Sequence, residues 1–338
     1  MERYVCDVAT ETATRGWEVA VVGGDAQRMP AALGGGVRWE PGGVPLESLR
    51  SVRRLGRWDV CHAHMTAAET IAIGTRRTHR ARVVSTRHFA AARGASRLGR
   101  IAAPWIAARL AREIAISEFV ARHIERPPSA VVVSGVPELP CLWRSASRRV
   151  LVLQRLEPEK DSLTALRSWQ ASRLADEGWS LRVVGEGAER RTLERWVASE
   201  ALAGVTFTGW ADNVADEFRK AGILIASAPA EPLGLAVLQA MSAGVPVVAC
   251  AGGGHLETIG LVADAPLFSA GDGSAGAAAL RSLLSDSARE RLSANGRRVV
   301  AERFTIGRHV DGLLAEYQAA CGSPVLSRLA SAASAERR

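Results

Sequence analysis

"RVLVLQRLEPEKDSLTALRSW", residues 149–169, holds the fold in miniature. Val150–Leu153 is an unbroken apolar run, without the polar alternation of a strand that faces water. Strands buried on both faces read this way, and they belong to parallel sheets covered by helices. A polar loop with Pro158 follows, then a segment, "SLTALRSW", with apolar residues at helical spacing. Strand, loop and helix in this order make one step of a doubly wound α/β fold. Ligands in such folds bind at the carboxyl edge of the sheet. The loop residues Arg155 and Lys160 fall at that edge.

The same pattern recurs along the chain. Apolar runs stand at "WEVAVVGG" (17–24), "DVCHAH" (59–64), "RVVSTRH" (82–88), "EIAIS" (113–117) and "AVVVSG" (130–135). They restart after "PELPCLWRSASRR" (137–149) with "RVLVLQ" (149–154), "LRVVGEG" (181–187), "VTFTG" (205–209), "ILIAS" (223–227) and "VPVVAC" (245–250). The spacing predicts two doubly wound α/β domains with a cleft between them, 1–137 and 148–306. The Ser/Ala/Arg-rich end, 323–338, reads as a flexible tail. The front is unusual. A doubly wound domain opens on its central strand, whereas Tyr4, Val5, Val8, Ala9 and Thr12 lie on one helical stripe ahead of the first strand at Trp17. The expectation is that one strand and one loop of that domain are missing.

A length of 338 residues exceeds what one hydrophobic core usually spans. With 47% hydrophobic and 23% charged residues the chain reads as a soluble globular protein. No apolar run reaches the roughly 18–20 residues of a spanning helix, and the N-terminus lacks the apolar run of a signal peptide. The five cysteines, Cys6, Cys61, Cys141, Cys250 and Cys321, are scattered and form no metal or disulfide pattern. A cytoplasmic location and no metal are the expectations. The net charge of +8 is concentrated: Leu46–Arg126 carries sixteen arginines against six acids. That excess is either a solvated arginine surface or a contact for an anionic lipid or phosphorylated acceptor, peripheral at the membrane face. With few aromatics there, no nucleic-acid partner is expected.

Several further stretches could carry chemistry. Lys160 is one of only two lysines, with Lys220, among 43 basic residues. A lysine is a compact point charge suited to a phosphate oxygen. In "VVGEG", Gly185 and Gly187 could let backbone amides approach an anion, although a plain tight turn reads equally well. "EPLGLAVLQ" (231–239) starts with Glu231 at the mouth of a helix predicted from about Gly234, whose positive end faces the same edge. Glu231 and Gln239 lie about 12 Å apart along a helix axis, the span from a sugar to a ribose across a diphosphate. Read alone, they are a helix-start acid and an exposed amide. "GGGHLE" places Gly253 and Gly254 after a strand, with Glu257 at a predicted helix start. His62, His64 and His88 end strands of the first half.

Together these residues resemble the retaining glycosyltransferases of family 4, of the GT-B fold. The resemblance rests on "RLEPEK", "VVGEG", "EPLGLAVLQAMSAGVPVVA", "GGGHLE" and "LFSAGD", and in the first half on "DVCHAH" and "VVSTRH". It implies metal-independent hexosyl transfer from a nucleotide-diphosphate sugar, the co-substrate, to a hydroxyl acceptor of polysaccharide biosynthesis. No other cofactor is implied. Glu231 would orient the donor sugar, and Arg155 and Lys160 would stabilise the departing diphosphate. Leu233, Gly234, Leu235, Gly185, Gly187, Gly253 and Gly254 would line the donor site, with Glu257 behind them. His88 would be catalytic, with His62 and His64 on the acceptor side. Gln239 stands where the family carries a glutamate on the ribose; an amide offers a weaker grip. The segment "GRHVDGLLAEYQAA" (307–320) would be a terminal helix returning to the first domain. The competing reading is a catalytically silent relative acting as a binding or scaffold protein.

Overall fold

A computed structural model describes residues 1–94, 97–211 and 213–322. The chain divides into two units, Met1–Ser134 with the segment from Ile306, and Gly135–Thr305. The expected tail, 323–338, lies outside the described residues.

In the second unit six parallel strands form one sheet: β7 (Arg149–Leu153), β8 (Ser180–Val184), β9 (Val205–Phe207), β10 (Ile223–Ala226), β11 (Val247–Cys250) and β12 (Leu267–Phe268). Their order is β12-β11-β10-β7-β8-β9. Every residue of β10 and β11 is buried, which is why these runs carry no polar alternation. Helices such as Ser162–Ser172 and Leu235–Ser242 cover the sheet. The segment expected to link the domains packs here: the amides of Leu142 and Trp143 donate to the Ala243 carbonyl.

The first unit differs from one continuous doubly wound sheet. Strands β1 (Val19–Val22) and β2 (Val37–Glu40) pair in parallel as a separate two-stranded sheet. Strands β3 (Val60–Ala63), β4 (Arg82–Arg87), β5 (Arg112–Ala115) and β6 (Ala130–Val131) form a second parallel sheet in that order. A cavity of about 370 Å³ is lined by β1, by Val60 and His62 of β3, and by Val5, Val8 and Ala9 of the first helix, Glu2–Thr14. That helix buries Tyr4, Val8, Ala9 and Thr12 as the stripe predicts, but also Cys6. Cys6 and Ala9 pack with Val21 and Met29, and Val5 stays half-buried on the edge of that cluster. The terminal helix runs Ile306–Cys321 and reaches the first helix through Tyr4, whose hydroxyl lies 2.7 Å from His309 Nε2.

Candidate functional site

The strand order of the second unit reverses between β7 and β10, so the loops leaving their carboxyl ends are neighbours. Gln154 and Ser227 stitch them together. Gln154 Nε2 donates to the Lys160 carbonyl at 3.1 Å and to Ser162 Oγ at 2.9 Å, and Ser227 Oγ donates to the same Lys160 carbonyl at 3.1 Å. The lysine stem is thereby held on a short 3₁₀ turn, Pro158–Lys160. Its ammonium donates to Glu231 Oε2 at 2.6 Å, and both side chains are largely buried, 14% and 17% exposed. Residues 71 apart in sequence thus form one ion pair at the sheet's switch point.

Glu231 is held from behind by the glycine loop. The Gly254 amide donates to the Glu231 carbonyl at 2.6 Å. Gly253 has φ +58°, and a Cβ there would lie 2.4 Å from the Glu231 carbonyl oxygen. A side chain at 253 would push the loop of Glu231 out of place. Gly254 meets Leu233 backbone as closely, and Leu233 itself is buried core. Gly234, at φ +95°, begins the helix Leu235–Ser242, which has no side-chain cap. Its first amides are an anion site of the kind helix starts provide. Leu235 is half-buried on the first turn, and Gln239, also half-buried, makes no side-chain hydrogen bond among the described residues.

His255 is a member of this site that the sequence reading passed over. Only 1% exposed, it ends the 3₁₀ turn Gly253–His255. Its Nδ1 lies 3.1 Å from the Cys250 carbonyl, and its ring packs against Gly234. Burial pushes its pKa down; the Lys160 charge lowers it further, while Glu231 and the Cys250 bond raise it. The signal was a histidine in a loop otherwise made of glycine.

Other residues stand apart from the pair. Arg155 is half exposed and donates to Glu159 at 2.6 Å, its i+4 neighbour, so it does not join Lys160 in this structure. Gly185 and Gly187 have a packing reason: Cβ atoms there would lie 1.9 Å from the Gln154 carbonyl oxygen and 2.2 Å from that of Leu156. Glu257 is not at a helix start; it lies in a turn between two 3₁₀ segments, because the chain after His255 turns again at Ile259–Leu261.

Four histidines of the first unit, His62, His64, His88 and His309, form one cluster with Tyr4 and Tyr317. His64 Nδ1 and His88 Nε2 are 3.1 Å apart. His62 bonds the Tyr317 hydroxyl at 2.6 Å and Thr86 Oγ1 at 2.7 Å. The Tyr4 ring lies edge-on to His88 with centroids 4.8 Å apart. His309 Nδ1 donates to the Val133 carbonyl at 2.9 Å, so its Nε2 accepts from the Tyr4 hydroxyl. Burial drives His62 and His88 well below the ordinary range and brings His64 and His309 to about 4, with neighbouring histidines adding to the shift for His62, His64 and His88. All four are neutral at neutral pH. His309 and Tyr317 escaped the sequence reading as members of this cluster because more than two hundred residues separate them from the strand ends, and Tyr4 was legible only as part of the first helix's stripe. Behind His88, the buried Arg87 binds Glu113 at 3.0 Å and Glu125 at 2.9 Å, and Arg93 binds Glu69 at 2.8 Å. Part of the basic excess of this half is therefore neutralised internally.

Residues 142–299 match the family model described as glycosyl transferases group 1, and residues 1–136 match that of glycosyltransferase family 4. The lipopolysaccharide core biosynthesis glycosyltransferase LpsD of Rhizobium meliloti is 35% identical over 127 residues, 37% of this chain and 37% of that protein. The 2-deoxystreptamine glucosyltransferase of Streptomyces kanamyceticus is 32% identical over 156 residues, 44% of this chain and 40% of that one. The matches thus span about two fifths of the length of these curated relatives. The structure of Anabaena Alr3699/HepE in complex with UDP and glucose superposes with a TM-score of 0.73 at 15% identity, covering 92% of this chain and 94% of the other. That likeness is one of fold.

Proposed function

The chain belongs to glycosyltransferase family 4, with the Rossmann-like units of a GT-B protein, and on that premise we propose that it moves a hexose from a nucleotide-diphosphate sugar to a hydroxyl acceptor. The observation that carries this reading is the Lys160–Glu231 pair, 2.6 Å apart, beside the uncapped start of the helix Leu235–Ser242. Lys160 and the helix amides suit the diphosphate, where charge grows as the nucleotide departs. Preorganised cations at that point lower the barrier. Glu231, held by the Gly254 amide, is rigid enough to accept hydrogen bonds from sugar hydroxyls. Departure without a metal and retention of anomeric configuration belong to this proposal; no residue is assigned as a protein nucleophile. Gln239 is the contact for the ribose, and Arg155 would have to leave Glu159 to reach the leaving group. The names of the relatives, a glucosyltransferase and a protein complexed with UDP and glucose, support a sugar-nucleotide donor.

The acceptor reading rests on the first unit. No helix of the described residues is long and apolar enough to cross a membrane. The helix Arg97–Ala107, however, exposes Ile101 (76%) and Trp105 (50%), and the Arg109 guanidinium lies 3.8 Å over the Trp105 ring. Apolar side chains flanked by arginine suit a surface of anionic lipid, and an anionic, lipid-linked or envelope acceptor follows. Sedimentation with vesicles tests this: Trp105→Ala should reduce binding to anionic vesicles, and equal partitioning with and without anionic lipid would remove the reading. Donor chemistry is tested separately. Incubation with UDP-, GDP-, ADP- or dTDP-glucose should release a nucleoside diphosphate in the wild type and far more slowly in Glu231→Gln. Equal release in both would refute the role of Glu231.

A further inference from the structure

We propose that His255 takes up a proton when the donor's diphosphate binds at the start of the helix Leu235–Ser242, and so supplies a cation that the free protein does not carry. The inference rests on the donor reading above. Its first support is the hydrogen-bond pattern. The Cys250 carbonyl can only accept, so Nδ1, 3.1 Å away, carries the ring proton of the neutral histidine. That leaves Nε2 as the atom that titrates. Among the described residues Nε2 has no hydrogen-bond partner, although the ring is only 1% exposed.

The second support is position. A Cβ placed on Gly234 would lie 3.1 Å from His255 Cδ2 and 3.5 Å from Nε2. The free nitrogen therefore sits beside the residue that opens the helix, against its positive end. An anion held by the first helix amides lies next to Nε2.

The third is charge. Two charged side chains act on the ring, the Glu231 carboxylate and the Lys160 ammonium, and they are paired with each other. Asp161 acts on the neighbouring Cys250. In the free protein the Glu231 carboxylate, the stronger of the two influences, and the Lys160 ammonium act in opposite senses, and burial outweighs both and keeps the ring neutral. A diphosphate adds uncompensated negative charge, which favours the protonated ring. The proton comes from solvent to Nε2, and the new N–H donates to a phosphate oxygen as a charge-assisted bond. In the alternative, Nε2 stays neutral and accepts from a donor hydroxyl, and no proton is taken up.

Calorimetry separates these outcomes. Whichever of UDP-, GDP-, ADP- and dTDP-glucose binds is titrated into the full chain at about pH 7, in PIPES, MOPS and imidazole buffers. These sugar diphosphates do not themselves titrate there. The dependence of heat on buffer ionisation should show uptake approaching one proton per donor, and affinity should rise as pH falls. His255→Gln should abolish the uptake and weaken binding by about tenfold. In case that variant fails to fold, ¹⁵N-histidine spectra of the wild type give a second readout: both His255 ring nitrogens should move to the doubly protonated range when donor is added. If no sugar nucleotide binds, the donor reading falls and the inference with it. If one binds without proton uptake, or if uptake persists in His255→Gln, the inference alone is overturned.

Discussion

Replacing Lys160 by Met and Glu231 by Gln, singly and together, separates the two jobs of the ion pair. Its atoms are 2.6 Å apart and its side chains 14% and 17% exposed, between a surface bridge and a buried one. Exposed pairs contribute about 0–1 kcal/mol. Breaking a fully buried pair from one side costs about 3–5 kcal/mol. Lys160→Met leaves a carboxylate without its cation and should cost about 2 kcal/mol, or about 4–8 °C in melting temperature. Glu231→Gln should cost about half as much, because an amide oxygen still accepts from the ammonium. In the double variant the losses should not add, since no orphaned charge remains. Binding should divide differently. Lys160→Met removes a charge-assisted bond to phosphate worth about 2 kcal/mol, which is about thirtyfold in the affinity for a nucleoside diphosphate. Glu231→Gln removes the carboxylate that competes for the same ammonium. It should leave that affinity unchanged or tighten it, while slowing sugar transfer by about a hundredfold. Denaturation, calorimetry with UDP or the preferred diphosphate, and product release measure the three quantities. If Glu231→Gln weakens diphosphate binding as much as Lys160→Met does, the division of labour is wrong.

Gln239→Glu should strengthen donor binding by about 1–2 kcal/mol, because a carboxylate accepts ribose hydroxyls with charge assistance; unchanged or weaker affinity refutes the ribose contact. Gly253→Ala should all but stop transfer with a stability loss of about 1–3 kcal/mol, since a Cβ would lie 2.4 Å from the Glu231 carbonyl oxygen; wild-type turnover at normal stability would show that the loop does not hold Glu231. The buried His309 has a pKa lowered from 6.5 to about 4, so the unfolded chain binds more protons than the folded one between these values. Its contribution is intact above about pH 6.5 and is lost as pH falls, by up to about 1.4 kcal/mol per pH unit. Urea melts across this window should show a shallower loss for His309→Gln, and an identical slope would contradict it.

The strands were legible wherever they are buried on both faces, as in "RVLVLQ" and "ILIAS". β2 was not, because "VRWE" mixes charge with apolar residues and none of its four residues is buried. The sequence could place Lys160 and Glu231 at strand carboxyl ends. Their contact depends on β10 lying next to β7, a pairing that no local signal encodes. The fate of Arg155 was hidden for the opposite reason: a local partner, Glu159, lies four residues away and takes its guanidinium. The split of the first unit's sheet was half visible, in the helix that precedes the first strand. His255 points inward because the chain makes a 3₁₀ turn at Gly253–His255, a detail set by packing of the glycine loop on the backbone of residues 229–233.

The central claim is that the loops after β7 and β10, with the helix Leu235–Ser242, bind a nucleotide-diphosphate sugar. A thermal-shift screen of the wild type against UDP-, GDP-, ADP- and dTDP-glucose tests it most directly. Ligand present at about a hundredfold excess over its dissociation constant stabilises the folded state by about 2.7 kcal/mol. At least one of the four should therefore raise the melting temperature by several degrees, and Lys160→Met should lose most of the rise, since a roughly thirtyfold weaker affinity leaves only about 0.9 kcal/mol at the same concentration. No shift with any of them would contradict the claim.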